Sequence, residues 1–314
     1  MDKKKFASYI KIARPDHSIK QLFVLPGCMA AILLCKLSAD VLLIKRIILG
    51  LLSTTFIASA NYVINEYLDA EFDKFHPIKK KRPLVNQKVN LRYIILEYLL
   101  LLFIGLWLSY NLSMFVFGLL VLLAVMGVLY NVEPIRLKDI PYFDVLAESF
   151  NMAIRFLIGW FLITQQYFPP ISIVLGYWFA GAYLMSVKRF SEYKMINDAT
   201  CAGSYRKSFI YYSESILGMQ SLFYAIISVF FLGIFLIKYR IELILDVPLL
   251  CVLYCYYFYL SFSKDSSTQR PEKLFHEKFL MLYIVFFGLV SVGLLFIEIP
   301  FLHIFLDDNL IGIK

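Results

Sequence analysis

The chain has 314 residues, of which 60% are hydrophobic and 17% charged, and its mean hydropathy is +0.71. Soluble domains average about 45–50% apolar and about 25% charged residues, so this composition excludes an ordinary water-soluble globule and a disordered chain. The net charge of +8 at pH 7 indicates, in so apolar a chain, the charge bias of a membrane protein rather than nucleic-acid binding. The five cysteines form no Cys-x-x-Cys pair, which argues against a zinc or disulfide framework.

Nine apolar runs are long enough to cross a bilayer, which takes roughly 20 residues in a helix. The runs cover residues 21–37, 43–64, 92–110, 113–130, 144–164, 171–187, 215–237, 247–263 and 279–299. Lys11 and Arg14 precede the first run, so no cleavable signal peptide is predicted. Because no linker, low-complexity tract or short repeat separates the runs, we expect residues 1–314 to form a single all-α, polytopic membrane domain.

Lysine and arginine are concentrated in alternate connections between these runs. Of the 31 basic residues, 24 lie before the first run or within 65–92, 131–143, 188–207 and 264–278. Cytoplasmic loops of membrane proteins carry such an excess. The N-terminus and the charged loops are therefore predicted to be cytoplasmic and the C-terminus, nine crossings later, to be outside. We expect an integral protein of a bacterial-type cytoplasmic membrane.

The end of the second run carries the strongest functional signal. Asn61, Asn65, Asp69 and Asp73 recur at every fourth position, which predicts one face of a helix that ends before Pro77. Amide and carboxylate oxygens suit Mg²⁺, which usually takes one or two protein carboxylates and leaves its other positions to water and substrate phosphates. The pattern predicts Mg²⁺ ligands and catalytic residues at Asn65, Asp69 and Asp73, the alternative being an acidic helix end without a ligand.

A basic segment follows, with Lys79 and Arg82 at its two ends. Its charges are suited to the phosphate groups of a substrate. The general excess of basic residues in cytoplasmic loops explains the same segment without any ligand, so both interpretations stay open.

From Asn65 to Pro83 the sequence reads Asn-Glu-x-x-Asp-x-x-x-Asp-Lys-x-His-Pro-x-Lys-x-x-Arg-Pro. This pattern resembles the NDxxDxxxD signature of the UbiA superfamily of intramembrane prenyltransferases, which have nine transmembrane helices. Its extended form is similar to the decaprenyl-phosphate phosphoribosyltransferase branch, which transfers phosphoribose from phosphoribosyl pyrophosphate (PRPP) to a polyprenyl phosphate. Glu66 and Lys74 depart from the usual Asp and Arg of that branch. The resemblance implies that a metal–pyrophosphate group lies at Asn65, Asp69 and Asp73, with Glu66, His76, Lys79 and Arg82 nearby.

A second charged motif ends the sixth run, where Lys188 and Glu192 are one helical turn apart and can pair. A superfamily member acting on aromatic acceptors is expected to show a second Asp-rich motif, DxxxD, at this position. Cations in place of carboxylates favour direct contact with phosphate over a second metal, and the pattern again resembles the phosphoribosyltransferase branch. Interfacial lysines and arginines that reach towards water are the structural alternative. The substrate-contact candidates of this motif and the loop after it are Lys188, Arg189, Glu192, Arg206 and Lys207.

Arg155 lies within the fifth run, where an unpaired arginine costs about 2.5–3.5 kcal/mol on insertion scales. Glu148 and Asn151 precede it on the same helix face, so a structural pair is one interpretation. The other is an arginine that projects into an active cavity towards a phosphate. The resemblance favours the second interpretation, and it also implies substrate contacts for Lys20, towards the polyprenyl phosphate, and for Tyr130 and Lys138.

These motifs predict Mg²⁺-dependent transfer of the 5-phosphoribosyl group from PRPP to a polyprenyl phosphate of the decaprenyl type, with release of pyrophosphate. Two alternatives remain. One is transfer of a prenyl group from its diphosphate to an aromatic acceptor, which the missing second Asp motif disfavours. The other is a lipid or solute transporter, for which inverted repeats with broken helices would be expected. The polyprenyl chain length, the pathway served, which is cell-wall biosynthesis in the resembled branch, and the oligomeric state stay open.

Overall fold

The computed structural model describes residues 3–37, 40–86, 90–263, 266–269 and 274–306. Within these ranges the regular structure is helical, without a β-strand. Short 3₁₀ helices join several of the α-helices. The α-helices are α1 (Lys3–Ile12), α2 (Leu25–Cys35), α3 (Val41–Asp69), α4 (Pro83–Asn86), α5 (Leu91–Tyr110), α6 (Met114–Asn131), α7 (Phe143–Ile163), α8 (Ile171–Ile196), α9 (Ala199–Tyr205), α10 (Glu214–Tyr239), α11 (Asp246–Leu260) and α12 (Lys278–Phe296).

Nine helical stretches of the described chain are long and apolar enough to cross a membrane. They follow the nine predicted runs in order, which confirms the predicted all-α fold class. The first stretch, Ser8–Cys35, is not one regular helix, because a 3₁₀ segment, Pro15–Val24, separates α1 from α2. Pro15 cannot donate a backbone hydrogen bond, and Arg14 before it adopts a left-handed φ of 50°.

α7 is the central helix of the bundle. In the most apolar 18-residue segment of α7, 72% is buried, whereas the corresponding segments of the other eight stretches are 11–39% buried. α2 crosses it at very short range, since a Cβ added to Gly27 would lie 1.9 Å from the carbonyl oxygen of Phe156. A Cβ on Gly159 of α7 would lie 2.0 Å from the carbonyl oxygen of Val24. Small residues permit such close packing of membrane helices, and here only glycine fits.

The outward faces of the other helices are apolar. On α5, for example, Leu99, Phe103 and Trp107 are 54%, 70% and 59% exposed. A continuous apolar surface of this kind is unfavourable in water and suits the hydrocarbon region of a bilayer. The burial pattern therefore supports the interpretation as an integral membrane protein.

Four of the long helices present their charged ends to one another. They are the C-terminal ends of α3, α6 and α8 and the N-terminal end of α7. We call the region where these ends and their loops meet the motif end. It contains both of the charged sequence motifs. Lys79 and Glu192, one from each motif, are 113 residues apart along the chain and are in contact here.

Candidate active site

The predicted ladder of amide and acidic side chains is only partly continuous. α3 ends at Asp69, and Asp73 begins a separate 3₁₀ turn, Asp73–Phe75. The expectation that Asp73 shares an α-helical face with Asn65 is therefore wrong. The chain leaves the α-helix about two turns earlier than predicted, and Asp73 turns inward to pair with Arg82. Both carboxylates still lie at the motif end, Asp69 on the last turn of α3 and Asp73 on the 3₁₀ turn that follows.

Asn61, the first member of the predicted ladder, has a structural role. Its Nδ2 donates a hydrogen bond to the carbonyl oxygen of Leu123 at 2.9 Å. Its side chain also occupies the space beside Gly127, where an added Cβ would come within 2.1 Å of the Asn61 Oδ1 atom. Asn61 thus fixes the distance between α3 and α6, which sets the position of the residues that follow it on α3.

Asp69 lies in a network of amides and cations. Asn65 donates through Nδ2 to Asp69 Oδ2 at 3.1 Å and to Asn131 Oδ1 at 2.6 Å. Lys138 forms an ion pair with Asp69 and donates to Asn131 Oδ1 at 2.9 Å. Arg136 Nη2 lies 3.2 Å from Asp69 Oδ1. Burial lowers the pKa of Lys138 to about 8, although the charge of Asp69 opposes this shift.

Asp73 is almost completely buried and forms an ion pair with Arg82. Burial raises the pKa of the Asp73 carboxyl, and the neighbouring charges of Arg82 and Lys79 offset this only in part. The pair brings the end of the basic segment back against the acidic turn. The structure thereby places Arg82 beside a predicted metal ligand.

His76 is also buried, and its hydrogen bonds determine which ring nitrogen carries the proton. Its Nδ1 accepts from the backbone N–H groups of Ile78 at 3.1 Å and Lys79 at 3.2 Å. The Nε2 atom is buried and has no hydrogen-bond partner within the described residues. Burial lowers the pKa of His76 from 6.5 to about 3, so the ring is neutral at physiological pH and carries its proton on Nε2. It packs edge-on against Tyr205, with the ring centroids 4.7 Å apart.

The second motif does not form the predicted pair of Lys188 with Glu192. Glu192 Oε1 lies 2.8 Å from Lys79 Nζ, and its Oε2 lies 2.9 Å from Arg189 Nη1. Lys188 instead approaches Glu148 of α7, at 3.7 Å. The helical spacing allows both arrangements, because Lys188 and Arg189 both lie within about one turn of Glu192. Both oxygens of Glu192 are thus engaged by cations of the protein.

Arg189 is fully buried and contacts three carboxylates. Its guanidinium pairs with Glu148 and Glu192 and lies 3.6 Å from Asp144. It also donates to the Tyr130 hydroxyl at 3.2 Å, and that hydroxyl donates to Glu148 at 2.9 Å. Such a set of partners satisfies the arginine within the protein. Arg189 therefore organises the acidic side chains around it.

Two further predicted residues follow α9. Arg206 Nη1 donates to the Tyr130 hydroxyl at 3.2 Å and lies 4.0 Å from Asp144. Lys207 is half-exposed and lies 3.4 Å from Asp139, at the edge of the motif end. Arg206 therefore belongs to the buried network, whereas Lys207 lies at its exposed edge.

The N-terminal 3₁₀ segment, Pro15–Val24, packs against α3 and α7. Arg14, just before this segment, donates to Glu66 Oε2 through Nε at 3.0 Å and through Nη2 at 2.9 Å. Glu66 therefore anchors the N-terminal segment, which gives a physical reason for an acidic residue at this position. The Lys20 ammonium lies 5.5 Å from the ring centroid of Tyr62, one turn deeper in α3 than Glu66.

Arg155 does not pair with Glu148, although both lie on α7. Its Nε donates to Gln21 Oε1 at 2.9 Å, and its Nη1 donates to the backbone carbonyl of Asn151 at 2.9 Å. Glu148 turns towards the α8 cations instead. Of the two sequence interpretations, the structural pair with Glu148 is therefore wrong.

Several participants have no counterpart among the candidates chosen from the sequence. Arg136 pairs with Asp69, Tyr205 accepts a hydrogen bond from Lys79, and Glu148 is a partner of Arg189. Arg136 lies in the same short polar connection as Lys138, so its place between two apolar runs was an available signal. The partners of Tyr205 and Glu148 depend on helix packing and leave no local pattern.

The donor chemistry at Asn65, Asp69 and Asp73 fits Mg²⁺, because all the available ligand atoms are hard oxygens. No group of three or more His, Cys, Asp or Glu side chains with metal-binding geometry occurs in the described part of the chain. These two facts fit an ion that completes its coordination shell with substrate phosphates and water.

The chain is similar in sequence to the nodulation protein NoeC of Azorhizobium caulinodans. The two are 25% identical over 233 residues, which cover 73% of this chain and 72% of that protein. Similar solved structures include a UbiA homologue from Archaeoglobus fulgidus bound to GPP and Mg²⁺, with a TM-score of 0.66 and 21% identity over 92% of this chain and 96% of that one. The same homologue bound to DMAPP and Mg²⁺ gives a TM-score of 0.67 and 20% identity, covering 93% and 100% of the two chains.

A third solved structure concerns a digeranylgeranylglyceryl phosphate synthase in membranes. It gives a TM-score of 0.62 and 19% identity, over 93% of this chain and 98% of that one. At such identities these likenesses show a common fold. The model of the UbiA prenyltransferase family matches residues 24–297, which include all of the motif end. The chain therefore belongs to the UbiA prenyltransferase family.

Proposed function

We propose that this protein transfers the 5-phosphoribosyl group of PRPP to a polyprenyl phosphate of the decaprenyl type and releases pyrophosphate. The observation that carries the proposal is the state of Glu192. It is the single carboxylate of the second motif, and both of its oxygens are bound by Lys79 and Arg189. This motif therefore leaves no free carboxylate for a second metal.

The charge balance of the motif end supports the same substrates. The ion-paired groups there include eight cations and six carboxylates, which leaves a surplus of positive charge for a highly anionic donor and an anionic acceptor. The cations are Lys79, Arg82, Arg136, Lys138, Lys188, Arg189, Arg206 and Lys207, and the carboxylates are Asp69, Asp73, Asp139, Asp144, Glu148 and Glu192.

In the proposed reaction the bond from ribose C1 to the pyrophosphate oxygen breaks, and a bond from C1 to an oxygen of the lipid phosphate forms. Asn65, Asp69 and Asp73 would hold Mg²⁺, which when bound neutralises negative charge on the departing pyrophosphate. Lys79 and Arg82 are placed to hold phosphate oxygens beside these ligands. The acceptor phosphate is already an anion at neutral pH, so the reaction needs no strong general base.

His76 would contribute as a neutral donor. Its Nε2–H group is buried without a partner in the described residues, a few residues from Asp73. A hydrogen bond from this group to a substrate oxygen would satisfy it. Because the ring stays neutral, this contact would persist across the physiological pH range.

Transfer of a prenyl group from its diphosphate to an aromatic acceptor is the second candidate. It is favoured by the solved structures of the same fold that hold GPP or DMAPP with Mg²⁺. Against it stands the cationic second motif described above. The two candidates share a metal-bound diphosphate at Asp69 and Asp73 and differ in the group that is transferred.

We place the motif end on the cytoplasmic side, where PRPP would be available. The support is the charge bias, since 24 of the 31 lysines and arginines lie in the N-terminal segment and in the loops on this side. Cysteine-accessibility labelling of Lys207→Cys and Lys238→Cys in sealed vesicles would locate the two ends. Labelling of the first variant from outside sealed right-side-out vesicles would refute this orientation.

The purified protein in lipid nanodiscs should convert PRPP and decaprenyl phosphate to phosphoribosyl lipid only when Mg²⁺ is added. Asp69→Asn and Asp73→Asn should each lower the rate by about 100-fold or more, because a charge that stabilises the transition state through the metal is lost. Asp40→Asn is the matched control. Asp40 caps α3 at its other end by accepting a hydrogen bond from the Leu43 N–H, and asparagine caps a helix equally well.

Competition between labelled PRPP and labelled GPP separates the two candidates. Phosphoribosyl lipid as the product supports the proposal, and prenyl transfer from GPP to an aromatic acceptor without use of PRPP overturns it. Full activity in both Asp69→Asn and Asp73→Asn would overturn the metal assignment under either candidate.

A further inference from the structure

The connection between α6 and α7 has an unfavourable backbone conformation at two positions. Arg136 has φ 35° and ψ 62°, and Tyr142 has φ 67° and ψ −42°. Residues other than glycine rarely adopt such positive φ values, and bulky side chains make them costly. The Phe143 N–H donates to the Pro141 carbonyl oxygen at 2.8 Å, so Tyr142 lies at the centre of a γ-turn with positive φ, the strained form of this turn. We call residues 136–142, which run from one strained position to the other, the strap.

The side chains of the strap cover the candidate metal ligand Asp69. Lys138 forms an ion pair with Asp69 Oδ1, and Arg136 Nη2 lies 3.2 Å from the same oxygen. Both cations are buried, with 3% and 8% of their side chains exposed. A metal ion can take this oxygen only after both cations have withdrawn from it. In this conformation the strap therefore blocks Asp69 Oδ1.

The strained end of the strap at Tyr142 is held by Tyr212, which follows the loop after α9. The Tyr142 N–H donates to the Tyr212 hydroxyl at 2.5 Å, and the two rings meet edge to face with their centroids 5.9 Å apart. The Tyr212 hydroxyl in turn donates at 2.8 Å to Oδ1 of Asp144, a fully buried residue in the first turn of α7. A strained conformation persists only where the surrounding structure holds it. The Tyr212 hydroxyl is therefore a latch for the strap.

The same loop contacts the middle of the strap. Lys207 Nζ lies 3.4 Å from Asp139 Oδ2, and Arg206 Nη1 donates to the Lys138 carbonyl oxygen at 3.5 Å. The strap is thus held on one side by Asp69 and on the other by the loop after α9. Loss of either set of contacts leaves the strain less well opposed, which makes the strap a candidate for a moving element.

We propose that the strap is a gate over Asp69, held closed by the Tyr212 latch, and that it opens when a divalent metal ion and a diphosphate bind there together. The proposal rests on the proposed function through the role of Asp69 as a metal ligand, and it applies to both candidate reactions because each uses a metal-bound diphosphate. Once Asp69 turns to the metal, relief of the strain at Arg136 and Tyr142 favours the open strap. Opening is then easier than two buried ion pairs alone would allow.

Two substitutions of Tyr142 measure the strain. Tyr142→Gly and Tyr142→Ala both remove the ring, but only glycine adopts a φ of 67° without steric cost. The readout is hydrogen exchange of the Asp139 amide, which donates to the Arg136 carbonyl at 2.9 Å inside the strap. In nanodiscs without ligand this amide should exchange about 5-fold more slowly, or slower still, in Tyr142→Gly than in Tyr142→Ala. Relief of the strain outweighs the greater freedom of glycine in the open strap.

Ile140 provides the matched control within the strap. It is 41% exposed and has an ordinary extended backbone, with φ −96° and ψ 123°. Glycine has no strain to relieve there and only adds freedom to the open strap. The Asp139 amide should therefore exchange about 2- to 5-fold faster in Ile140→Gly than in Ile140→Ala. Opposite signs at positions 140 and 142 support a strained strap, and the same sign at both would overturn it.

Tyr212→Phe tests the latch, because it keeps the ring and removes the hydroxyl that accepts from the Tyr142 N–H. The Asp139 amide should exchange about 3- to 10-fold faster than in wild type, as expected for the loss of one hydrogen bond. Tyr211→Phe is the control, since Tyr211 is the preceding residue and is 66% exposed. It should leave the exchange unchanged. Equal exchange in the two variants would overturn the latch.

Mg²⁺ together with inorganic pyrophosphate tests the gate in the wild-type protein. At saturation the pair should speed exchange of the Asp139 amide by about 10-fold or more, because the bound strap is mostly open. Their dissociation constant should be higher in Tyr142→Gly than in Tyr142→Ala by about the same factor as the two variants differ in exchange, because the ligands bind only the open strap. Absence of binding, or binding with unchanged or slower exchange, would overturn the gate.

The outcome for the gate is separable from that for the proposed function. If Mg²⁺ and pyrophosphate open the strap but no phosphoribosyl lipid forms from PRPP and decaprenyl phosphate, the gate stands and the proposed function fails. If phosphoribosyl lipid forms while exchange of the strap is insensitive to Mg²⁺ and pyrophosphate, the proposed function stands and the gate fails.

Discussion

Substitution of Glu192 by glutamine tests the central electrostatic contact of the motif end. The carboxylate is 1% exposed and joins the basic segment after α3 to the end of α8. Glu192→Gln removes its charge with little change of shape. Arg189 retains Asp144 and Glu148, whereas Lys79 loses its ion-pair partner and keeps the Tyr205 hydroxyl. The loss therefore falls mainly on Lys79.

Removing one partner of a buried ion pair costs about 3–5 kcal/mol. The lower end applies here because glutamine keeps one acceptor oxygen. Lys79 is also 20% exposed and reaches some water, which reduces the expected loss to about 2 kcal/mol. Glu71→Gln is the matched control. Glu71 is 88% exposed and lies 3.9 Å from Lys74, so its substitution should change the free energy of unfolding by less than about 0.5 kcal/mol.

The free energy of unfolding in mixed micelles is measured for both variants. Lys79→Met and the double variant Glu192→Gln with Lys79→Met complete a double-mutant cycle. The two substitutions should couple by about 1–3 kcal/mol. Burial already lowers the pKa of Lys79, and loss of Glu192 lowers it further. A lysine with a lowered pKa loses its proton sooner in the folded state than in the unfolded one, so the deficit of Glu192→Gln should shrink as pH rises.

Two results would refute this reasoning. Equal stability of Glu192→Gln and Glu71→Gln would show that the buried contact does not hold the two motifs together. A normal stability of Glu192→Gln combined with a raised Mg²⁺ requirement would mean that Glu192 is a metal ligand. That second result would favour the aromatic-acceptor alternative, in which this position belongs to a second metal motif.

Three further predictions follow from buried groups elsewhere. Because the pKa of His76 falls from 6.5 to about 3 on folding, wild type should lose stability as pH drops through that interval, and His76→Phe should lose less across the same titration. Gly27→Ala should unfold at a much lower temperature than wild type since its Cβ would meet a backbone oxygen at 1.9 Å, whereas Gly118→Ala, with nothing within 4 Å, should not. Glu66→Gln should release Arg14 and make the N-terminal segment more sensitive to limited proteolysis, with unchanged sensitivity counting against the anchoring role.

Hydropathy alone predicts the nine crossings, because the energetic requirement for a membrane helix is simple and local. Its limits appear at the helix ends. α3 continues to Asp69 and α8 to Ile196, beyond the apolar runs, because ion pairs at the motif end stabilise charged residues that hydropathy discounts. The 3₁₀ segment Pro15–Val24 between α1 and α2 was not predicted either, because it includes Asp16 and Lys20 and only its last four residues belong to the first apolar run.

In the candidate site, too, contacts within one helix were predicted from the sequence and contacts between elements were not. Asn65 and Asp69 are four residues apart, and this spacing predicts their contact. The partner of Glu148 lies on the neighbouring helix α8, and Glu192 pairs both with Arg189 on its own helix and with Lys79 from the loop after α3. Helical periodicity places Glu148 near Arg155 and Glu192 near Lys188, yet both carboxylates turn to Arg189. Spacing along one helix therefore predicts which residues share a face and leaves open which partner a charge selects.

Each predicted metal ligand with a charge is already paired with a cation of the protein. Asp69 is paired with Lys138 and Arg136, and Asp73 with Arg82. Binding of a metal–pyrophosphate group would exchange these partners, with the carboxylates turning to the metal and the cations to the phosphates. Either ligand alone would leave one set of buried charges uncompensated. We therefore expect Mg²⁺ and the anionic donor to bind cooperatively, each raising the affinity for the other by the same factor.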